Sequence, residues 1–303
     1  MKSKYLLFNK FPSLYLLCIE LRTKFISIVY SDEKFVCKHY QKTMGRKLDL
    51  KKPKSFNEKI QWFKINWEDT LATQCADKYL ARDFVKARGC GKYLNDILGV
   101  YTNVNEIDFH WLPKKFVLKA THASGWNLIC TNKQELSWPA ALKIMAFWLH
   151  NNYYNLWRER LYKSIKPRVV CERFIEDSNG NIPHDYKIWC FDGNPAYIEV
   201  DANRMKGHQQ DFYDLDWNKL PFKSQYPYIT QPPQEPERLD EMLEVARKLS
   251  QGFQFVRVDM YCVQGRVYFG EMTFFPAAGC KQFGSYDYDV QVGDKLSISQ
   301  LRG

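Results

Sequence analysis

Two apolar runs, Phe255 to Val263 and Arg266 to Thr273, flank the turn residues Gln264-Gly265 and read as a β-hairpin with an acid inside each strand. Asp259 lies between Val258 and Met260, and Glu271 lies between Gly270 and Met272. A lone charge is costly to bury in such surroundings. A cation held between the two acids removes that cost, and a site with few protein oxygens suits Mg²⁺, which keeps waters and substrate phosphates as further ligands. A strict two-residue turn pairs Asp259 with Gly270 and sends Glu271 to the other face. A three-residue loop, or one bulge, sets Asp259 directly across from Glu271, and that geometry is expected. The alternative is that each acid pairs with an arginine such as Arg257 or Arg266.

Further strands are expected at Phe116 to Ala120, Arg168 to Ile175, Tyr186 to Phe191 and Ala196 to Val200, with Asp192-Gly193-Asn194-Pro195 as a second hairpin turn. Helices are expected after Ser55, whose Glu58 completes a capping box, from Asp77 to Arg88, after Ser137, and from about Pro236 to Gly252. Hairpin-joined strands with helices outside give an α+β class with antiparallel sheets. With 303 residues, 45% of them apolar, the chain can bury a large core. Four stretches are expected: a basic, partly amphipathic segment 1–45, a helical lobe 46–115, a small lobe with a loop 116–170 and a C-terminal lobe 171–303. Lys2, Lys4, Lys10, Arg22 and Lys24 interrupt the apolar runs of residues 1–31. None approaches the roughly 20 apolar residues of a membrane span, so a helix packed on the main domain or one lying on a membrane surface is expected.

Lys119 falls in the apolar strand Phe116 to Ala120, before the small polar loop Thr121 to Asn127 and a second strand. It is either a surface lysine or an ammonium placed to meet a nucleotide phosphate. In the second case the loop, with Ser124 and its backbone N–H groups, wraps the phosphates. Lys187, in the strand after His184, is a second candidate, and the strand end Glu172 to Ile175 offers main-chain groups to an adenine edge.

In this order the residues resemble the ATP-grasp superfamily. The stretches Ser55-Phe-Asn-Glu-Lys-Ile-Gln-Trp62, Asp77-Lys-Tyr79 with Arg82, Leu118 to Gly125 and Asp185-Tyr-Lys187 look like the TupA-like ATP-grasp family, associated with teichuronopeptide and surface-polysaccharide biosynthesis. The resemblance covers residues 40 to 285. It implies an ATP-grasp fold, with two lobes around a nucleotide cleft, and a ligase that joins a carboxylate to an amine through an acyl phosphate. Lys119 and Lys187 would hold the ATP phosphates under the loop of Thr121, Ser124 and Gly125. Glu172, Arg173 and Ile175 would receive the adenine, Asp259 and Glu271 would bind Mg²⁺, and Arg257 would steady the transferred phosphoryl group. Apart from the resemblance, His122 in the loop is read as a base toward the amine or a further phosphate contact, with a merely exposed histidine as the alternative. Two positions depart from the pattern: Thr273 stands where an Asn ligand is usual, and Ala123 where a second loop glycine is usual.

A net charge of +10 favours anionic partners. No aromatic-glycine recognition strand or dense basic stripe supports nucleic acid. An anionic polysaccharide, or its lipid- or nucleotide-linked precursor, is the expected partner beside ATP and the carboxylate and amine substrates. Nine scattered cysteines without a CxxC pair point to free thiols in a reducing, cytoplasmic setting, with peripheral contact to the inner membrane face as an option. Asp214-Leu-Asp216 matches the metal motif of nucleotide-sugar glycosyltransferases and marks the competing reading. A non-catalytic nucleotide-binding scaffold is a third.

Overall fold

The computed structural model describes residues 12–204 and 207–298. The run Tyr5 to Phe8 with Lys2, Lys4 and Lys10 lies outside the described residues. Helices α1 (Pro12–Val29) and α2 (Asp32–Met44) lead into α3 (Phe56–Asn66). The capping box forms in both halves: the Ser55 hydroxyl accepts from the Glu58 amide at 3.3 Å, and the Glu58 carboxylate accepts from the Ser55 amide at 3.1 Å. No helix among the described residues is long and apolar enough to cross a membrane.

The helix expected from Asp77 to Arg88 is interrupted. Helix α4 (Thr70–Ala76) ends at Asp77, whose carboxylate accepts from the amides of Tyr79 and Leu80 at 2.8 and 3.2 Å. That local turn competes with helix, so α5 begins at Ala81 (Ala81–Ala87). Gly89, with φ of 72°, follows it as expected.

The α+β class is observed as two antiparallel sheets. The smaller has the order β1-β4-β2-β3, from β1 (Ile97–Tyr101), β2 (Phe116–Ala120), β3 (Asn127–Cys130) and β4 (Val169–Arg173). Between β3 and β4 run α6 (Trp138–His150) and the short α7 (Tyr154–Trp157). The larger sheet has the order β7-β6-β5-β8-β9, from β5 (Asp185–Phe191), β6 (Asn194–Ala202), β7 (Gln209–Tyr213), β8 (Phe255–Val263) and β9 (Arg266–Thr273). Two strands escape the sequence reading. Gly99 interrupts β1, and β7 reads Gln-Gln-Asp-Phe-Tyr, with little apolar alternation.

Alternation divides the larger sheet into two chemical faces. Ile188, Cys190, Val256, Val258 and Met272 are buried on one face, which packs against α8 (Leu239–Ser250) through Met242, Val245, Ala246 and Leu249. The other face carries Asp185, Lys187, Glu199, Asp201, Arg257, Asp259, Glu271 and Thr273 in adjoining register. Further along that face, Trp189 and Phe255 close an aromatic core with Phe56 of α3. After β9 comes one more helix, α9 (Tyr286–Gly293). All nine cysteines are free, six of them buried. Asp214 and Asp216 form a surface turn, in which the Asp214 carboxylate accepts from the amides of Asp216 and Asn218 at 3.0 and 2.8 Å.

Candidate active site

A cavity of about 240 Å³ opens between the two sheets. Val117 and Ile129 form one wall, Tyr261 and Phe269 the other, and Phe174 and Ile175 close the end. Such an apolar slot with a few polar groups suits a flat heteroaromatic ring. The strand end after β4 is there, although Arg173 has main-chain partners of its own. Its amide donates to the Asp96 carbonyl at 3.0 Å, and its carbonyl accepts from Asn95 Nδ2 at 2.7 Å. The Arg173 amide is therefore unavailable to a ligand, whereas its carbonyl keeps a second lone pair. Ile175 contributes to the wall.

The slot continues into a polar cavity of about 170 Å³, in which Lys78, Lys119, Lys187, Arg204 and Arg257 meet Asp185, Asp259 and Glu271. Lys119 donates to Glu172 Oε2 at 2.7 Å. Burial alone would lower its pKa, but Glu172 and Tyr261 outweigh it and hold the ammonium charged. Lys187 is almost fully buried and bonded to Asp185, with Asp201 at 3.0 Å and Asp259 at 3.8 Å. These acids likewise overcome burial and raise its pKa. A charge-neutralised cluster of this kind can accept phosphate oxygens in exchange for carboxylates.

Asp259 pairs with Glu271 in the β8–β9 ladder. The turn has two residues, Gln264 and Gly265, both with positive φ, and a bulge supplies the shift. Met260 pairs with Phe269 and Asp259 with Glu271, so Gly270 is the extra residue. The arginine alternative also holds in part: Arg257 forks onto Asp259 with two bonds of 2.7 Å. Burial pushes the Asp259 carboxyl up to about 6 against the pull of Arg257 and Lys187. Glu271 is drawn down to about 2 because Lys78, Arg257 and Lys119 together outweigh its burial. The Thr273 hydroxyl lies 3.4 Å from Glu271 Oε1 and 3.3 Å from Arg257 Nη2.

Among the described residues no three or more His, Cys, Asp or Glu side chains gather as a metal cage. Two facing carboxylates beside a polar cavity nonetheless fit Mg²⁺, which binds through one or two carboxylates and completes its shell with water and phosphate.

The loop after β2 divides its residues. Ser124 and Gly125 line the polar cavity. Thr121 and His122 point inward: both are buried, and His122 Nε2 lies 2.8 Å from the Trp148 carbonyl. Burial lowers the His122 pKa and keeps the ring neutral. His122 is therefore a packing residue here and does not line the cavity, which differs from both the catalytic role and the exposed position expected of it. The hairpin-like closure of the loop, in which the Ala120 amide donates to the Trp126 carbonyl at 2.9 Å, turns these two residues away from the cleft.

Two cations of the site were not singled out from sequence. Lys78 donates to the Ala123 carbonyl at 2.7 Å and reaches Glu271 Oε2 at 2.9 Å, so it ties the loop to the hairpin. It belongs to the Asp77-Lys-Tyr79 stretch, which was the available signal. Arg204 follows β6, bonds Asp185 at 2.6 Å and lines both cavities. Nothing in its local sequence marks it.

The sequence profile of the TupA-like ATP-grasp proteins matches residues 58–297, well over half of the chain. No curated protein matches in sequence at a significant level. Solved structures to which the chain is similar include the D-alanine–D-alanine ligase of Bacillus anthracis in complex with ATP, at 17% identity and a TM-score of 0.44, covering 75% of this chain and 67% of that one. The Helicobacter pylori D-alanine–D-alanine ligase is similar at 14% identity and a TM-score of 0.45, covering 81% of this chain and 67% of that one. The D-alanyl-alanine synthetase A of Vibrio cholerae aligns at 11% identity and 0.43, covering 76% and 63%.

Proposed function

The chain belongs to the TupA-like ATP-grasp family, and from that premise we propose that it is an ATP-dependent ligase that joins a carboxylate to an amine through an acyl phosphate. The observation that carries the reading is the register of Asp259 against Glu271, in a cavity that also holds Lys119 and Lys187 and runs on from an apolar slot.

The purine lies in the slot and the phosphates in the polar cavity, where Lys119, Lys187 and Arg204 offset their charge and Ser124 and Gly125 cover them. Asp259 and Glu271, with the Thr273 hydroxyl beside them, would hold Mg²⁺, which would supply neutralisation of phosphate charge. A substrate carboxylate oxygen attacks the γ-phosphorus and ADP leaves. An amine then displaces phosphate from the acyl carbon. Arg257, which lines the polar cavity and its neighbour, stabilises the developing charge. Positioning and charge neutralisation supply most of the acceleration in such transfers.

We assign one substrate to an acidic surface polysaccharide or its lipid- or nucleotide-linked precursor, a reading supported by the net charge of +10. A cytoplasmic site with peripheral contact to the inner membrane face is supported by Leu17, Leu21, Phe25 and Ile28, exposed at helical spacing along α1. The test is ADP release from Mg-ATP with panels of carboxylic acids and primary amines. Release that requires both components is expected. UDP-sugar hydrolysis without ATP turnover would instead favour a glycosyltransferase.

A further inference from the structure

A second cavity, of about 420 Å³, lies on the far side of Ser124 and Arg257, which form its common wall with the polar cavity. Its lining includes the aromatic rings of Tyr153, Trp157 and Phe275, with Glu159 among them. The wall at Ala277 and Ala278 is held firmly. Both residues have left-handed φ (49° and 54°), and the Ala278 carbonyl accepts from Gln61 Nε2 at 2.9 Å and Lys64 Nζ at 3.0 Å.

Glu159 is 3% exposed and lines this cavity, and no side-chain hydrogen bond or ion pair reaches its carboxylate among the described residues. The nearby buried ammonium of Lys64 is bonded instead to Gln61 Oε1 and the Ala278 carbonyl, each at 3.0 Å. Lys64 and Lys78 favour its charge from a distance without bonding it, and a mostly buried carboxylate that lacks a direct partner is costly and persists where a ligand completes it. The other titratable groups of the lining set the sign of that ligand. Burial lowers the His39 pKa to about 4, so the ring is neutral, and raises the Cys280 thiol to about 11. Arg257 is already forked onto Asp259. Glu159 is thus the lining charge that has no direct partner, and aromatic walls favour a cation beside it.

Resting on the ligase reading above, we propose that this second cavity is the amine site, in which Glu159 receives the ammonium of the incoming nucleophile and takes its proton. The carboxylate removes one proton from R–NH₃⁺. The freed lone pair forms the C–N bond at the acyl carbon, and the C–O bond to phosphate breaks with its electron pair on phosphate. The second N–H proton passes to that phosphate, and Glu159 returns its own proton to water. Burial raises the Glu159 carboxyl to about 7, near the value at which a general base works at neutral pH.

The test compares wild type with Glu159→Gln in Mg-ATP and a panel of amino acids and uronic acids. The nucleophile is either hydroxylamine, which is neutral at physiological pH, or a pool of primary amines. Hydroxamate, amide and ADP are measured, and Mg-ADP binding by calorimetry checks that the variant is folded. Hydroxamate formation within about threefold of wild type, with amide formation down on the order of 100-fold, is expected for loss of a general base. Equal loss of both products, or equal retention, would overturn the assignment. Absence of any product from wild type would overturn the ligase reading, and the amine site with it.

Discussion

Asp259 stands directly opposite Glu271 across the β8–β9 ladder although the turn joining their strands has only two residues, and the unpaired Gly270 is what puts it there. Without that extra residue the side-chain alternation would place the two acids on opposite faces. A Cβ at position 270 would lie 2.9 Å from the Asp259 carbonyl oxygen, so the bulge also demands a residue without one.

Gly270→Val should therefore displace the Asp259 main chain and misalign the pair. ADP release is expected to fall on the order of 100-fold, the usual penalty of a shift near 1 Å in a site of this kind. The stability cost is about 1–3 kcal/mol, read by urea unfolding. Turnover that survives the substitution would show that the opposed acids are not the metal pair.

Lys78 links the loop carbonyl of Ala123 to Glu271, so Lys78→Met should loosen both. ADP release should fall at least about tenfold, and stability by about 1.5–3 kcal/mol, the range for hydrogen bonds to charged groups. The pH dependence follows from Glu271, whose carboxyl is drawn down to about 2 from an ordinary 4.5. A group depressed in the folded state stabilises fully above its unfolded value and loses that contribution as pH falls through the folded one. The difference in unfolding free energy between wild type and variant should hence be constant above about pH 5 and shrink toward pH 2. A difference independent of pH would remove the ion pair from the explanation.

The hairpin and the two basic strands were legible because apolar alternation and turn residues state them locally. Even the requirement for a bulge could be derived from the count between Asp259 and Glu271, although the sequence alone did not distinguish it from a longer loop. Arg204 was not legible: it enters the site because β6 ends beside the start of β5, a consequence of pairing Asp185 with Asp201. His122 misled for the opposite reason. A polar residue in a Gly/Ser-containing loop reads as exposed, whereas tertiary packing under α6 turns it inward. Glu159 follows a short helix with no pattern around it, and only the cavity shows its isolation.

Arg204 bonds Asp185 at 2.6 Å and lines both the apolar slot and the polar cavity, so under the proposed function it would bridge ring and phosphates. Arg204→Ala should weaken Mg-ADP binding roughly tenfold to 100-fold, the effect of losing a charge-assisted contact worth about 1.5–3 kcal/mol. Isothermal calorimetry reads it directly. Unchanged affinity would place the nucleotide elsewhere.

His122 separates a structural from a chemical role for the loop. Its neutral ring donates from Nε2 to the Trp148 carbonyl, while Nδ1 has no partner among the described residues. His122→Phe removes one buried hydrogen bond and should cost about 1–2 kcal/mol in unfolding free energy, with ADP release within about twofold of wild type. Because burial lowers the folded pKa below the ordinary 6.5, the unfolded chain binds the proton more readily. Wild type should lose this contribution as pH falls below about 6.5, and the variant should lack that acid sensitivity. A turnover loss of tenfold or more at unchanged stability would instead return His122 to the reaction.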